Sequence, residues 1–255
     1  MIRAFFVAYG LASYATFLGI YAWLALFVGD WLLPRTIDRP AGGNIAAALA
    51  VDLLLLGAFA AQHSIMARPA FKVAWTRIVP HPIERSTYMF ASSFVLALLI
   101  WFWQPIPAVI WNVQHPVGWW LLVALFIAGW LLVPGVSLMI SHFDLFGLRQ
   151  VWLHFTGRDY EPLPFRTPLA YAFVRHPLYI AWMLAFWATP TMTAGHLLFA
   201  VAMTGYMLAA AVVEERDLVH YFGEHYLDYR RRVPMFIPGL KWGNRLEQRR
   251  ETARP

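Results

Sequence analysis

Four apolar stretches, residues 4–29, 44–66, 88–103 and 117–140, constrain this chain more than any other feature of its sequence. A helix needs about 20 apolar residues to cross the hydrocarbon core of a bilayer, so three of them are long enough and 88–103 is slightly short. A further apolar segment, Leu178 to Val213, is interrupted at Thr189-Pro190 and Gly195-His196. Proline removes a helical hydrogen bond and glycine loosens the backbone, so this segment reads as a tight helical hairpin. Its first arm, 178–189, is too short to span unaided. The expected fold is all-α: a polytopic transmembrane helical bundle of five to six membrane helices, the last two a hairpin, with a cytoplasmic loop and a C-terminal tail.

Composition agrees. The 255 residues are 60% hydrophobic and 13% charged, against roughly 25% charged in a soluble domain. Such a chain cannot cover a globular surface with polar groups, so lipid is part of its solvent. No stretch outside the spans is long enough to build its own core. One domain is expected over 1–255, with a transmembrane core at 4–140 and the hairpin and tail at 141–240. The absence of cysteine excludes disulfides, thiolate metal sites and a cysteine nucleophile. The first apolar stretch lacks a small-residue cleavage pattern and is expected to be retained as a helix.

Charge placement sets an orientation. The 67–87 loop holds Arg68, Lys72, Arg77 and Arg85 against Glu84, whereas the 104–116 loop has no formal charge. Trp101, Trp103, Trp111, Trp119 and Trp120 lie on or beside that uncharged loop, as in an interfacial belt. The 141–175 loop carries Arg149, Arg158, Arg166 and Arg175, and nine basic residues follow position 213. By the positive-inside rule these basic segments and the N-terminus are cytoplasmic. The net charge of +6 suits acidic phospholipid headgroups better than nucleic acid. No obligate protein partner is implied.

The chemistry concentrates between Arg175 and Pro238. Arg175-His176-Pro177-Leu178-Tyr179 opens the hairpin, with Pro177 at the first helical position, where no amide donor is needed. The second arm ends in Glu214-Glu215, followed by DLVHYFGEHYLDYRRRVPMFIP. The hairpin returns the chain to the side it left, so two carboxylates, a histidine, an arginine and several tyrosines converge at the cytoplasmic boundary. Taken alone, this is also what a charged helix end at a snorkelling interface looks like.

The combined pattern, RHP-x-Y, then EE, then FG-x-x-Y-x-x-Y-x-x-x-VP-x-x-x-P, resembles the isoprenylcysteine carboxyl methyltransferase-like superfamily of membrane methyltransferases, which includes phospholipid N-methyltransferases. That resemblance implies S-adenosyl-L-methionine held between hairpin and tail, with S-adenosyl-L-homocysteine as product. Glu214 or Glu215 would accept from ribose hydroxyls or the amino group, and Arg175, His176 or Arg232 would meet the carboxylate. Tyr179, Tyr226 and Tyr229 would stack on adenine or face the sulfonium.

Three further blocks narrow the likeness: Gln62 to Arg68, Glu84 to Tyr88, and SHFDLFGLRQVWLHF from Ser141. With them, most of the chain resembles the bacterial methanethiol S-methyltransferase family and its relatives linked to nitrogen-oxide metabolism. The resemblance implies methyl transfer to a small volatile thiol. A thiol attacks best as thiolate, so a base or a positive environment is required. His63, Arg85, Tyr88 and Asp144 are the expected catalytic groups, and Arg68, His142 and Phe146 the expected substrate contacts. Arg68 and Arg85 equally suit phosphate anchors, and His63 a neutral histidine bonded to a neighbouring helix.

Asp52 is the one formal charge deep in an expected span, on a helix face shared with positions 56, 59 and 63. A structural role there is expected, paired with a hydroxyl or amide of the first helix. Other acceptors, lipid or prenylcysteine-like, remain open, as does a non-catalytic haem-binding or assembly role, although few of the nine histidines fall mid-span. No metal site is expected.

Overall fold

The computed structural model describes residues 1–40 and 43–239. The chain runs α1 (Ile2–Val28), α2 (Ile45–Ala67), α3 (Pro69–Trp75), α4 (His81–Phe102), β1 (Val109–Asn112), α5 (Pro116–Ile140), α6 (His142–Leu145), α7 (Leu148–Phe155), α8 (Pro177–Trp187), β2 (Thr191–Thr193), α9 (Ala194–Phe222) and α10 (Glu224–Arg232). α1, α2, α4, α5 and α9 are long and apolar enough to cross a membrane. This is an integral membrane protein. Of the basic tail, Lys241, Arg245, Arg249, Arg250 and Arg254 lie outside the described residues.

Local chemistry starts the helices. Asn44 caps α2, its side-chain oxygen accepting from the amides of Ala46 and Ala47. Proline occupies the first turn of α3, α4, α5 and α8, where its missing N–H is harmless. That proline also starts α4 at His81, which brings the apparently short 88–103 stretch to 22 residues. One end of the bundle, here termed proximal, gathers the ends of α2, α5 and α9 and the starts of α4 and α8. The other end is distal.

The hairpin differs in detail from its sequence reading. α8 has 11 residues, about 16 Å at 1.5 Å per residue. Gly195-His196 does not interrupt the second arm: Thr193 accepts from the His196 amide at 3.1 Å and starts a 29-residue α9. The turn is also braced from outside. β2 pairs antiparallel with β1, a strand in the tryptophan-rich loop that the sequence did not reveal. Asp52 is fully buried, but its partner is not on α1. Its Oδ1 accepts from the Gln104 amide at 2.9 Å and so closes the end of α4.

Two contacts explain how the spans pack without a hydrophobic drive between them. Gly129 of α5 lies against the backbone of Ala185 in α8, and an added Cβ would stand 2.5 Å from the Ala185 nitrogen. Small residues of this kind let membrane helices approach closely. Pro134 cannot donate to the carbonyl of Trp130 four residues back, and the Tyr21 hydroxyl of α1 donates to that carbonyl instead. Phe27, Leu99, Trp103, Phe186 and Phe199 fill the centre, while Leu54, Leu121 and Leu131 face outward.

Replacing Gly129 with alanine therefore lowers stability by about 1–3 kcal/mol, the usual range for overpacking. Gly57 has nothing within 4 Å of its would-be Cβ, so Gly57→Ala is neutral or stabilising. Thermal melts of the two variants in one detergent check the contrast.

Candidate active site

The proximal end is organised by Glu215. Its Oε1 accepts from Arg175 Nε at 2.6 Å and its Oε2 from Arg175 Nη2 at 3.2 Å, a bidentate pair. His176 Nε2 lies 3.1 Å from the same Oε1. Arg175 Nη1 also donates to the carbonyls of Val233, at 2.6 Å, and Arg230. The amides of Arg175 and His176 donate to Pro234 and Met235. One buried carboxylate thus joins the start of α8, the far part of α9 and the chain after α10.

Glu214, the next residue on α9, points elsewhere. Its side chain is 48% exposed against 9% for Glu215. It accepts from the Tyr179 hydroxyl at 2.8 Å and stands 3.8 Å from His176 Nδ1. The His176 and Tyr179 rings stack at 5.2 Å and 16°. Tyr226 and Tyr229 pack with Phe165 beside them, and the Tyr229 hydroxyl donates to the Tyr171 carbonyl at 2.6 Å. Burial pushes the Tyr229 phenol up to about 12, so it stays a neutral donor. Arg232 bonds back to Asp228 on its own helix and makes no bond into this group.

A second group lies alongside, between α2, α4 and α9. Gln62 Nε2 donates to Ser92 Oγ at 3.3 Å, so the Ser92 proton is free to point at His63 Nδ1, 3.2 Å away. His63 Nε2 then carries the proton and donates to Tyr88 Oη at 2.9 Å, and Tyr88 donates to the His63 carbonyl at 3.3 Å. Phe59 stacks on the imidazole and Tyr206 of α9 stands edge-on. Tyr206 and Glu214 both lie on α9, which joins the two groups. Arg68 pairs with Asp217 of α9 at 3.1 Å, both side chains 39% exposed. Such an exposed pair contributes at most about 1 kcal/mol. Burial, and then Arg85, push the Lys72 ammonium down; Glu84 and Arg68 are its other charged neighbours.

A third group forms around α6. Ser137 donates to the Pro134 carbonyl at 2.9 Å and so accepts from His142 Nδ1 at 2.7 Å. His142 Nε2 is left to accept from the Tyr14 hydroxyl at 2.6 Å. Burial pushes the His142 imidazole down, consistent with this neutral form. Phe146 packs on His142 and on Phe17 at 4.3 Å. Asp144 accepts from Arg149, Gln150 and Tyr160. Gly147, at φ +84, lies on the Arg85–Ser86 backbone, where a Cβ would stand 2.7 Å from the Ser86 nitrogen. This contact seats the third group beside the start of α4.

Ser92, Tyr206, Tyr171 and Phe165 escaped the sequence reading. Ser92 follows Tyr88 by four residues and Tyr206 precedes Glu214 by eight, so helical spacing alone placed both on the relevant faces. Phe165 sits in irregular chain and Tyr171 in a single 3-10 turn, Leu169–Ala172, and neither gave such a signal.

Proteins of known name share this sequence over nearly its whole length. The chain is 51% identical over 238 residues to the methanethiol S-methyltransferase of Mycobacterium tuberculosis, covering 93% of this chain and 98% of that protein. It is 49% identical over 236 residues to the methanethiol S-methyltransferase of Crocosphaera subtropica, covering 92% of each. The chain belongs to the methanethiol S-methyltransferase family. Methanethiol S-methyltransferase 2 of Bradyrhizobium diazoefficiens matches at 47% over 253 residues, 99% of this chain and 97% of the relative. Family membership therefore embraces all three polar groups and not the Arg175–Glu215 segment alone. Human Nurim is also similar, 34% identical over 184 residues, 69% of this chain and 70% of Nurim. No protein-family model and no solved structure matches the chain.

The two adjacent glutamates separate by experiment. Glu215→Ala strands buried Arg175 and lowers stability by about 3–5 kcal/mol, whereas Glu214→Gln costs about 1 kcal/mol or less. Limited tryptic digestion checks the same point: cleavage between Arg232 and Val233 increases in the Glu215 variant and not in the Glu214 variant.

Proposed function

We propose that this protein transfers a methyl group from S-adenosyl-L-methionine to methanethiol, giving dimethyl sulfide, at the cytoplasmic face of a bacterial inner membrane. The observation that carries the reading is end-to-end identity of 47–51% with three methanethiol S-methyltransferases, joined to polar groups that meet at one end of the bundle. The concentration of Arg68, Lys72, Arg77, Arg85, Arg149, Arg158, Arg166 and Arg175 at that end supports a cytoplasmic orientation.

The residues present fit the methyl donor. Glu214 keeps one side of its carboxylate free for ribose hydroxyls or an amino group. Tyr179, with Tyr226 and Tyr229 close by, supplies aromatic surface for adenine or an onium centre. Arg175, His176 and Glu215 hold this wall in place, and Arg232 is free to swing toward a carboxylate. Bound S-adenosyl-L-methionine supplies an electrophilic methyl carbon on a sulfonium sulfur.

Forming dimethyl sulfide releases one proton from the thiol, and a side chain at the site can receive it. His63 Nδ1 holds that proton when the Ser92 hydroxyl turns away, while Tyr88 keeps the ring oriented. Arg85 and Arg68 supply positive potential that favours a thiolate. His142, Phe146 and Asp144 close the side toward α1, where apolar rings exclude water. Positioning is the main contribution expected of such a site.

Membranes given methanethiol and S-adenosyl-L-methionine should release dimethyl sulfide, read by headspace gas chromatography. A methylated lipid with no dimethyl sulfide would instead assign a lipidic acceptor. S-adenosyl-L-homocysteine at 100 times its Kd should stabilise the fold by about 2.7 kcal/mol. His63→Ala and Tyr88→Phe should cut turnover at least tenfold, by the usual contribution of acid–base groups, and leave that stabilisation in place.

A further inference from the structure

The distal end holds a cavity of about 240 Å3 that the reaction above does not use. It lies beside the start of α9. His196 there is nineteen residues from Glu215 along the helix, about 28 Å at 1.5 Å per residue. Trp31, Trp119 and Phe126 form its aromatic walls, and Asp30, Asp38 and Thr193 its polar ones. Trp31 and Phe126 meet edge to face with centroids 5.1 Å apart.

The two acids are not equivalent. Asp30 accepts from Arg39 Nε at 2.7 Å and from the Thr36 hydroxyl, and these bonds hold its backbone at φ 54. Its charge is met. Asp38 accepts from the Thr193 hydroxyl, and its side chain is only 13% exposed. Its other oxygen lies 3.9 Å from His196 Nδ1. His196 is fully buried, and its Nε2 donates to the Phe186 carbonyl at 2.9 Å. A carbonyl can only accept, so Nε2 carries the proton and Nδ1 presents a lone pair. Nδ1 has no hydrogen-bond partner among the described residues. Two acceptors, a carboxylate oxygen and a ring nitrogen, therefore face each other with no donor between them. Burial pushes the Asp38 carboxyl up to about 6, opposed by the Thr193 hydrogen bond, with Asp30 and Arg39 as minor and opposite influences. At neutral pH it is mostly an anion, and among the described residues its hydrogen-bond donor is the Thr193 hydroxyl and not a cation.

We propose that this cavity binds a small organic onium cation, a quaternary ammonium or a trialkylsulfonium, with its methyl groups on Trp31, Trp119 and Phe126 and its charge balanced by Asp38. Aromatic faces attract such poorly hydrated cations, and a carboxylate beside them completes the site. The volume admits a head group of a few carbons. Among the described residues, no three His, Cys, Asp or Glu gather as a metal would require. The onium can be a free solute or the headgroup of a choline lipid, because the recognising chemistry is the same.

The test uses the full chain in phosphatidylglycerol nanodiscs, titrated with tetramethylammonium chloride or, at equal ionic strength, sodium chloride. Tryptophan fluorescence should show a saturable change with tetramethylammonium and none with sodium. Asp38→Asn and Trp119→Leu should each weaken binding about tenfold, the scale of one ion–aromatic or ion-pair contact. Cooperative thermal unfolding certifies each variant as folded. If Asp38→Asn fails to fold, Trp119→Leu and Trp31→Leu, both at partly exposed positions, carry the comparison. Transfer to phosphatidylcholine nanodiscs identifies the source: weaker apparent tetramethylammonium binding marks the lipid headgroup, and unchanged binding a free solute. No saturable change in folded wild-type protein, or equal affinity in every folded variant, overturns the proposal.

Discussion

A single buried carboxylate, Glu215, decides the geometry of the proximal end. Removing two charges from water is expensive, and the attraction between them offsets that only when geometry is good and every remaining donor is satisfied. Here the pair is bidentate and each guanidinium nitrogen of Arg175 has an acceptor. Arg175 meets Glu215 with two nitrogens and turns its third toward the carbonyls of Arg230 and Val233. The arrangement is best understood as a source of register. It sets the depth at which α8 begins against α9, and it brings the chain beyond α10 back over the hairpin mouth. A hydrophobic cluster of equal volume would bind these segments without choosing one alignment among several.

From that alignment follows the division of labour between neighbouring glutamates. Successive residues on a helix point about 100° apart, so a fully engaged Glu215 forces Glu214 toward the mouth. There it meets Tyr179 and keeps part of its carboxylate in reach of solvent. The neighbouring His63–Tyr88–Ser92 network is ordered by a similar economy of protons: each donor has one acceptor, and the imidazole is held neutral in one tautomer. Both networks rest on helices whose spacing is fixed by close backbone contacts such as Gly129 on Ala185. Rigid placement of this sort suits a reaction in which alignment supplies most of the rate.

The bundle is polar at both ends for different reasons. Its proximal end is basic, as anchoring to acidic headgroups requires, and it holds most of the carboxylates that meet arginines. Its distal end is rich in tryptophan, and there, among the described residues, Asp38 and Asp52 take hydroxyl and amide donors for partners. α9 connects these ends without interruption, its first turn bracing the distal cavity and its last turns the proximal networks.

Much of this was legible in the residues themselves. Length and apolarity alone determine the spans, because a bilayer leaves a backbone no alternative to satisfying its own hydrogen bonds. The nearness of Arg175-His176 to Glu214-Glu215 follows from a hairpin too short to do anything but double back. Other features depended on atoms that sequence does not distinguish. Asp52 bonds a backbone amide, which every residue carries, so no pattern could name Gln104 over a group on α1. The β1–β2 pairing joins segments far apart in the chain, through main-chain groups again. Which glutamate is buried, which histidine nitrogen holds its proton, and that His196 faces Asp38 at all were settled only when the helices packed, because rotation of a helix by a fraction of a turn exchanges one neighbour for another.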